Sequence, residues 1–271
     1  MCTALNANAV SCSLVRAHRF HYAQSMLPAE RRKRILEELR LSGGLDVVSL
    51  SERYSVSKST IRRDLNLLDS QGMLQRVRGG TIDADPRTYA QIATKAADDK
   101  ALIGKKAASL VEDGDIVLID IGTTTAAVAQ GLYGRQVTVL TASLAVIDIL
   151  RDSPGTELIV LGGVVRNSYL SMVGALTAHA LSQLRADIAF IGTSGVRSDL
   201  IVMDSTGTEV PIKHSILENS TRAYLVASPD KFPGSGILQI CPVTEFDGVI
   251  TTATGPIIDS IRSSGVQVIY P

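Results

Sequence analysis

Hydrophobic positions recur at two different spacings along this chain, and the change of spacing divides it. Downstream of Pro28, Ile35, Leu36 and Leu39 return at helical spacing, the pattern of a helix with one buried stripe. Pro28 suits the first turn, where its missing N–H costs nothing, and Gly43-Gly44 stops the helix. Val48–Tyr54 predicts a short second helix and Ser55-Val56-Ser57 a tight turn. A third helix follows, with Ser57 as N-cap, Ile61, Leu65 and Leu68 as its buried stripe, and Gly72 as its stop. Leu74–Arg78 and Thr81-Ile82, separated by Gly79-Gly80, predict a small hairpin. An amphipathic stretch, Lys95–Val111, buries Ile103, Ala107 and Leu110. Beyond it the pattern shortens. Apolar runs at Ile116–Ile119, Val137–Leu140, Leu158–Leu161, Ile188–Ile191, Ala223–Ala227, Val249–Thr251 and Val266–Ile269 alternate with helical segments. Short apolar strands between helices predict an α/β domain with a mostly parallel sheet covered on both faces.

Composition sharpens this division. The chain has 271 residues, 45% of them apolar, and no apolar run approaching membrane length, so globular domains are expected and no bilayer span. Three cysteines make no disulfide framework, and with the four histidines they show no metal-ligand spacing. A reducing, cytoplasmic setting fits that usage. Lys+Arg and Asp+Glu are 27 each. Zero net charge argues against a nucleic-acid binder only as an average. Residues 1–85 carry 13 Lys/Arg against 9 Asp/Glu, and residues 86–271 carry 14 against 18. The expected organisation is an extension over 1–25 read as a disordered tail, a helix-turn-helix with a wing over 26–82, a linker over 83–95 opening at Asp83-Ala84-Asp85-Pro86, and the α/β domain over 96–271. Met26 is a candidate translation start, and 1–25 is expected to be dispensable.

The cations of the first domain are concentrated. Lys58, Arg62 and Asn66 share one face of the third helix opposite the apolar stripe, with Ser57, Ser59, Thr60 and Arg63 around its N-terminal end. A recognition helix in the major groove needs such an arrangement. Arg76 and Arg78 alternate to one face of the hairpin and suit phosphate contacts, which set register rather than base preference. A plain three-helix domain predicts scattered charge instead.

In parallel sheets ligands bind beyond the carboxyl ends of strands. Asp120-Ile121-Gly122-Thr123-Thr124-Thr125 follows the first strand and opens a helix. Gly122 permits a sharp turn, and the amides and hydroxyls of Thr123, Thr124 and Thr125 suit an anion such as phosphate. A simple Thr N-cap explains the segment as well. The P-loop spacing and the dinucleotide Gly-x-Gly-x-x-Gly are absent. Thr141-Ala142-Ser143, Gly162-Gly163 and Gly192–Gly195 end other strands, and together they predict one polar cleft. Lys213 and Lys231 are candidate cations for it, although Glu209 and Lys213 also read as a surface i,i+4 pair worth about 0.2–0.5 kcal/mol. No cofactor is implied.

Arg31-Arg-Lys-Arg-Ile-Leu, Leu50-Ser-Glu-Arg-Tyr-Ser-Val-Ser, Thr60-Ile-Arg-Arg-Asp-Leu and the wing Arg76-Val-Arg-Gly-Gly-Thr resemble the DeoR family of bacterial transcriptional regulators. The resemblance extends over the second domain. It implies a fold similar to ribose-5-phosphate isomerases and coenzyme A transferases, and an effector that is a phosphorylated sugar or a derivative. The family's Asp-Ser-Gly-Thr-Thr-Thr matches Asp120–Thr125, its Thr-Asn-Ser matches Thr141 and Ser143, its Gly-Gly matches Gly162 and Gly163, its Glu-x-x-x-Lys matches Glu209 and Lys213, and its Asp-x-Ser-Lys-Phe ends on Lys231-Phe232. Ile121, Ala142 and Ser228 depart from those patterns at expected cleft positions. The function implied is a transcriptional regulator of carbohydrate genes, most often a repressor, that binds double-stranded operator DNA as a homo-oligomer. The rival is an isomerase-like enzyme with a nucleic-acid-binding appendage, for which Asp120 and Asp204 are the available general bases.

Overall fold

The computed structural model describes residues 26–42, 44–70, 74–77, 80–83, 89–167, 169–234, 236 and 238–271. The expected tail over 1–25, the glycines 43, 72 and 79, and Arg78 lie outside the described residues.

The N-terminal part runs α1 (Pro28–Ser42), β1 (Gly44–Asp46), α2 (Val47–Arg53), α3 (Lys58–Ser70), β2 (Leu74–Val77) and β3 (Gly80–Asp83). Ile61, Leu65 and Leu68 pack with Ile35, Leu39, Leu50 and Leu74 in one core, as the helical spacing predicts. Ser57 Oγ accepts the Thr60 amide at 3.1 Å, capping α3. Asp46 does the same for α2, accepting the amides of Val48 and Ser49 at 2.9 Å each. β1 adds a third strand to the expected hairpin, in the antiparallel order β1-β3-β2. Three residues carry too little pattern for β1 to stand out. Arg31, the first of the four basic residues Arg31–Arg34, does not face solvent. It is buried, and its Nε donates to Asp64 Oδ2 on α3 at 2.7 Å.

The described residues of the expected exposed linker over 83–95 include regular structure. Asp83 ends β3, and α4 (Tyr89–Thr94) lies within it. The amphipathic stretch after it becomes α5 (Ala97–Ala108). Ala96 between them is left-handed, with φ +50°, a conformation that costs an alanine about 1–2 kcal/mol.

The chain continues β4 (Ile116–Ile119), α6 (Thr123–Leu132), β5 (Thr138–Thr141), α7 (Leu144–Leu150), β6 (Glu157–Val160), β7 (Val164–Arg166), β8 (Ser171–Val173), α8 (Ala175–Ser182) and β9 (Ala186–Ile191). It closes with β10 (Gly195–Val196), β11 (Ile201–Asp204), α9 (Val210–Glu218), β12 (Ser220–Val226), β13 (Leu238–Pro242), β14 (Gly248–Ile250), α10 (Pro256–Ser263) and β15 (Gln267–Ile269). The seven expected strands form one seven-stranded sheet, ordered β15-β14-β12-β9-β4-β5-β6. Every neighbouring pair in it is parallel. Alternate residues serve opposite faces. Val117 and Ile119 join the core under α5, α6 and α7, whereas Leu118 joins the core under α8, α9 and α10. The remaining strands form an antiparallel sheet, β10-β11-β13, and the hairpin β7-β8.

The stretch Lys95–Val111 packs locally. α5 lies so close to α6 that a Cβ added to Gly104 would fall 2.4 Å from the Ala127 carbonyl carbon. The sheet grows outward from β4 in one direction and from β9 in the other. The two strands are adjacent, so the strand order reverses between them, and their carboxyl ends are where an α/β sheet opens a crevice.

Candidate functional site

On the first domain, α3 presents Lys58, Ser59, Arg62, Arg63 and Asn66 to solvent. Ser57 is exposed at its start, its hydroxyl 2.8 Å from that of the half-buried Thr60. The Arg31–Asp64 pair lies behind this face and ties α3 to α1. One helix therefore carries an apolar face, a buried ionic tie and a solvent-facing set of hydrogen-bond donors. Arg76 lies in β2 opposite Thr81.

On the second domain, the crevice between β4 and β9 is a cleft of about 130 Å³. That is below the roughly 300–1,000 Å³ of drug-sized sites, so it suits a small ligand. Its floor is the loop Ile121–Thr125 after β4, with Gly192, Thr193 and Ser194 after β9 facing it. Gly122 has φ +130°, which only glycine adopts readily, and this sets the first turn of α6 against the cleft. First-turn amides lack intrahelical partners and favour an anion. The Thr125 hydroxyl is turned inward, donating to Gly122 O at 3.0 Å, so Thr123 and Thr124 are the hydroxyls this loop leaves to a ligand.

Asp120 is a brace. It is buried, and its Oδ2 accepts the Gly192 amide at 3.0 Å and the Lys213 ammonium, joining β4, β9 and α9. Lys213 also donates to Gly192 O at 2.9 Å and stands 3.7 Å from Asp204. Burial opposes the Lys213 charge, but the carboxylates of Asp120, Asp204 and Glu209 outweigh it and hold its pKa above the ordinary lysine value. Asp204 Oδ1 accepts the amide and hydroxyl of Thr206 at 2.8 and 3.1 Å. Both carboxylates named for the isomerase reading are engaged with Lys213.

The structure brings Gly122, Thr123, Thr124, Thr125, Lys213 and Lys231 to one cleft and leaves other expected residues out of its lining. Thr141 is fully buried and donates to Ile119 O at 2.8 Å. Ser143 caps α7 through the Val146 amide at 3.3 Å. Gly162 and Gly163 lie against α8, where the Thr177 hydroxyl donates to Gly162 O at 2.8 Å. Ala142 belongs to the apolar core, so its departure from the family pattern changes packing rather than the cleft wall. Glu209 is not a surface partner of Lys213. It is buried and accepts Arg166 Nη1 and the Ser171 hydroxyl, each at 2.8 Å.

The cleft also holds residues that strand-end chemistry does not identify: Lys95, Lys100, Tyr169, Ser205 and Asp230. Asp230 Oδ2 is 2.8 Å from Lys95 Nζ and 3.8 Å from Lys231 Nζ. The Ser228 hydroxyl donates to Asp230 Oδ1 at 2.6 Å. Burial opposes ionisation of Asp230, but the bonds from Lys95 and Ser228 and the Lys231 charge hold its pKa down at about 2. Lys100 is 5% exposed, and its Nζ donates to Ile92 O. Burial lowers its pKa, with Asp230 acting the other way. Lys95 and Lys100 lie on no strand end, so only the folding of α4 and α5 over the sheet reveals them.

Residues 31–87 match the DeoR-like helix-turn-helix domain, and residues 95–253 match the DeoR C terminal sensor domain. An uncharacterized HTH-type transcriptional regulator, YgbI of Escherichia coli (strain K12), is 36% identical over 83% of this chain and 90% of its own. The glycerol-3-phosphate regulon repressor of the same organism is 31% identical over 86% of this chain and 94% of its own. Among solved structures, ribose 5-phosphate isomerase A from Methanocaldococcus jannaschii aligns with 50% of this chain and 54% of its own, at 19% identity and TM-score 0.37. With a DeoR-like helix-turn-helix at its start and a DeoR sensor domain over most of the rest, the chain belongs to the DeoR family of transcriptional regulators.

Proposed function

We propose that this regulator represses genes of carbohydrate metabolism and is controlled by a small phosphorylated metabolite held in the cleft between β4 and β9. The observation that carries the effector reading is the concentration of anion-binding groups there. The first turn of α6, the Thr123 and Thr124 hydroxyls, and the ammonium groups of Lys95, Lys100, Lys213 and Lys231 surround one small space. Asp204, Ser205 and Thr206 border the same space and supply groups that could pair with sugar hydroxyls. Kinship with a glycerol-3-phosphate regulon repressor supports a phosphorylated ligand.

Residues 26–82 serve as the DNA-binding unit and 96–271 as the sensing unit. Arg62, Arg63, Lys58 and Asn66 reach base edges from α3, and Arg76 and Arg78 hold phosphates from the wing. The protein acts in the cytoplasm as a homo-oligomer, because repeated half-sites on duplex DNA require paired recognition helices. The effector controls DNA binding only if its affinity differs between the two states. A thermal-shift screen of phosphorylated sugars and glycerol 3-phosphate, followed by mobility-shift assays on promoter DNA with each stabilising compound, tests the reading. Stabilisation together with altered DNA affinity supports it. Absence of any stabilising phosphorylated compound overturns it.

A further inference from the structure

We propose that Lys95 and Lys100, at the junction of α4 and α5, bind the effector's anion, and that Asp230 stands in for that anion when the cleft is empty. The inference rests on the reading of the cleft as an anion site. It adds which cations take the anion, and which element moves when they do.

The two ends of the cleft differ in charge. At one end Lys213 is flanked by Asp120 and Asp204, so its charge is already matched. Elsewhere in the cleft, among the described residues, Asp230 is the carboxylate acting on both Lys95 and Lys100, two cations against one anion. Coulomb attraction directs an anion there. Lys100 makes the case sharper. It is 5% exposed, and the partner of its ammonium is a neutral carbonyl, Ile92 O. A buried charge without a counter-ion is poorly compensated. An anion beside Thr123 would supply that counter-ion, and Asp230 supplies part of it now.

Both lysines also hold α4. Lys100 bonds the Ile92 carbonyl within α4, and Lys95 follows its last turn and reaches Asp230. The left-handed Ala96 is the joint between α4 and α5. An anion that takes Lys95 from Asp230 and Lys100 from Ile92 O therefore removes two polar ties of α4 to the sensor domain and loosens its packing there. Only residues 84–88 separate α4 from the wing strand β3, so α4 is the last described element of the sensor side before the DNA-binding unit. The exposed Lys95–Asp230 pair is weak by itself, as a tie that a ligand must break should be.

The test uses the full-length protein with inorganic phosphate as probe. Affinity is measured by calorimetry, and amide hydrogen exchange follows residues 89–96. Circular dichroism checks that each variant is folded. Asp230→Asn, which removes the internal competitor, tightens phosphate binding about fivefold, the scale of one unit charge at contact distance in water. Lys95→Met weakens it by a similar factor. Phosphate changes the exchange of 89–96 in the wild type but not in Lys95→Met. Thr124→Glu abolishes binding. If Thr124→Glu abolishes binding while Asp230→Asn and Lys95→Met leave affinity and exchange unchanged, this inference is overturned and the cleft reading stands. If Thr124→Glu leaves binding intact, or the wild type binds no phosphate, both are overturned.

Discussion

Glu209 and Lys213 stand one helical turn apart at the start of α9, yet they are held by different partners. Glu209 receives Arg166 and Ser171 from the β7-β8 hairpin, and Lys213 reaches Asp120 at the end of β4. Both are buried, at 1% and 2% exposure. One turn of helix thus fastens the hairpin on one side and the floor of the cleft on the other. Replacing Lys213 leaves Asp120 buried without its cation, which costs about 3–5 kcal/mol. Urea unfolding of Lys213→Met should show a loss of that size, and the double variant Asp120→Asn/Lys213→Met should recover much of it. Additive losses in the double variant would mean that the two residues do not act as a pair.

The recognition face and the tie behind it predict opposite phenotypes. Arg62→Ala and Arg63→Ala alter exposed side chains, so the melting temperature holds, while specific DNA binding weakens by about 1–3 kcal/mol wherever the arginine reads a base. Arg31→Ala leaves the buried Asp64 without its closer arginine, Arg32 standing 4.0 Å away, so the N-terminal domain itself unfolds more readily. Mobility shifts and thermal unfolding of the three variants separate the effects. Equal loss of stability in all three would refute the assignment of α3 as the reading surface.

Arg78→Ala should weaken binding to all DNA sequences alike and reduce the salt dependence of affinity by about one unit of slope. Affinities on specific and random duplexes at several salt concentrations measure this. A loss confined to one sequence would make Arg78 a base-reading residue instead.

Gly104 predicts a packing defect between the two helices, α5 and α6, that carry Lys100 and the threonine loop. A valine there would drive its Cβ into the Ala127 backbone, forcing α5 from α6 at a cost of about 1–3 kcal/mol or more. Thermal unfolding of Gly104→Val reads it. An unchanged midpoint would show that α5 can shift freely.

Periodicity makes most of this fold legible. The seven apolar runs became the seven strands of the parallel sheet because a strand buried on both faces needs an unbroken apolar stretch. The stripe of Ile61, Leu65 and Leu68 located α3 because a helix repeats its buried face. The strands β1, β7, β8, β10, β11 and β13 stayed hidden, since they lie in small antiparallel sheets, where a strand needs no unbroken apolar stretch. The same limit applies to the cleft. Thr141, Ser143, Gly162 and Gly163 share the composition of ligand loops, but capping and close packing demand the same small polar residues.

The chain by itself determined that a cationic helix-turn-helix precedes a parallel α/β domain, and that Gly122–Thr125 opens a helix beyond a strand. These are local properties, written in spacing and turn chemistry. Which charges meet was decided by the tertiary structure alone. Asp120 and Lys213 are far apart in the chain, as are Lys95 and Asp230, and they become neighbours only because the order of β4 and β9 reverses beside α9 and because α4 folds over the cleft. Electrostatic pairing depends on distance in space, which no spacing along the sequence encodes.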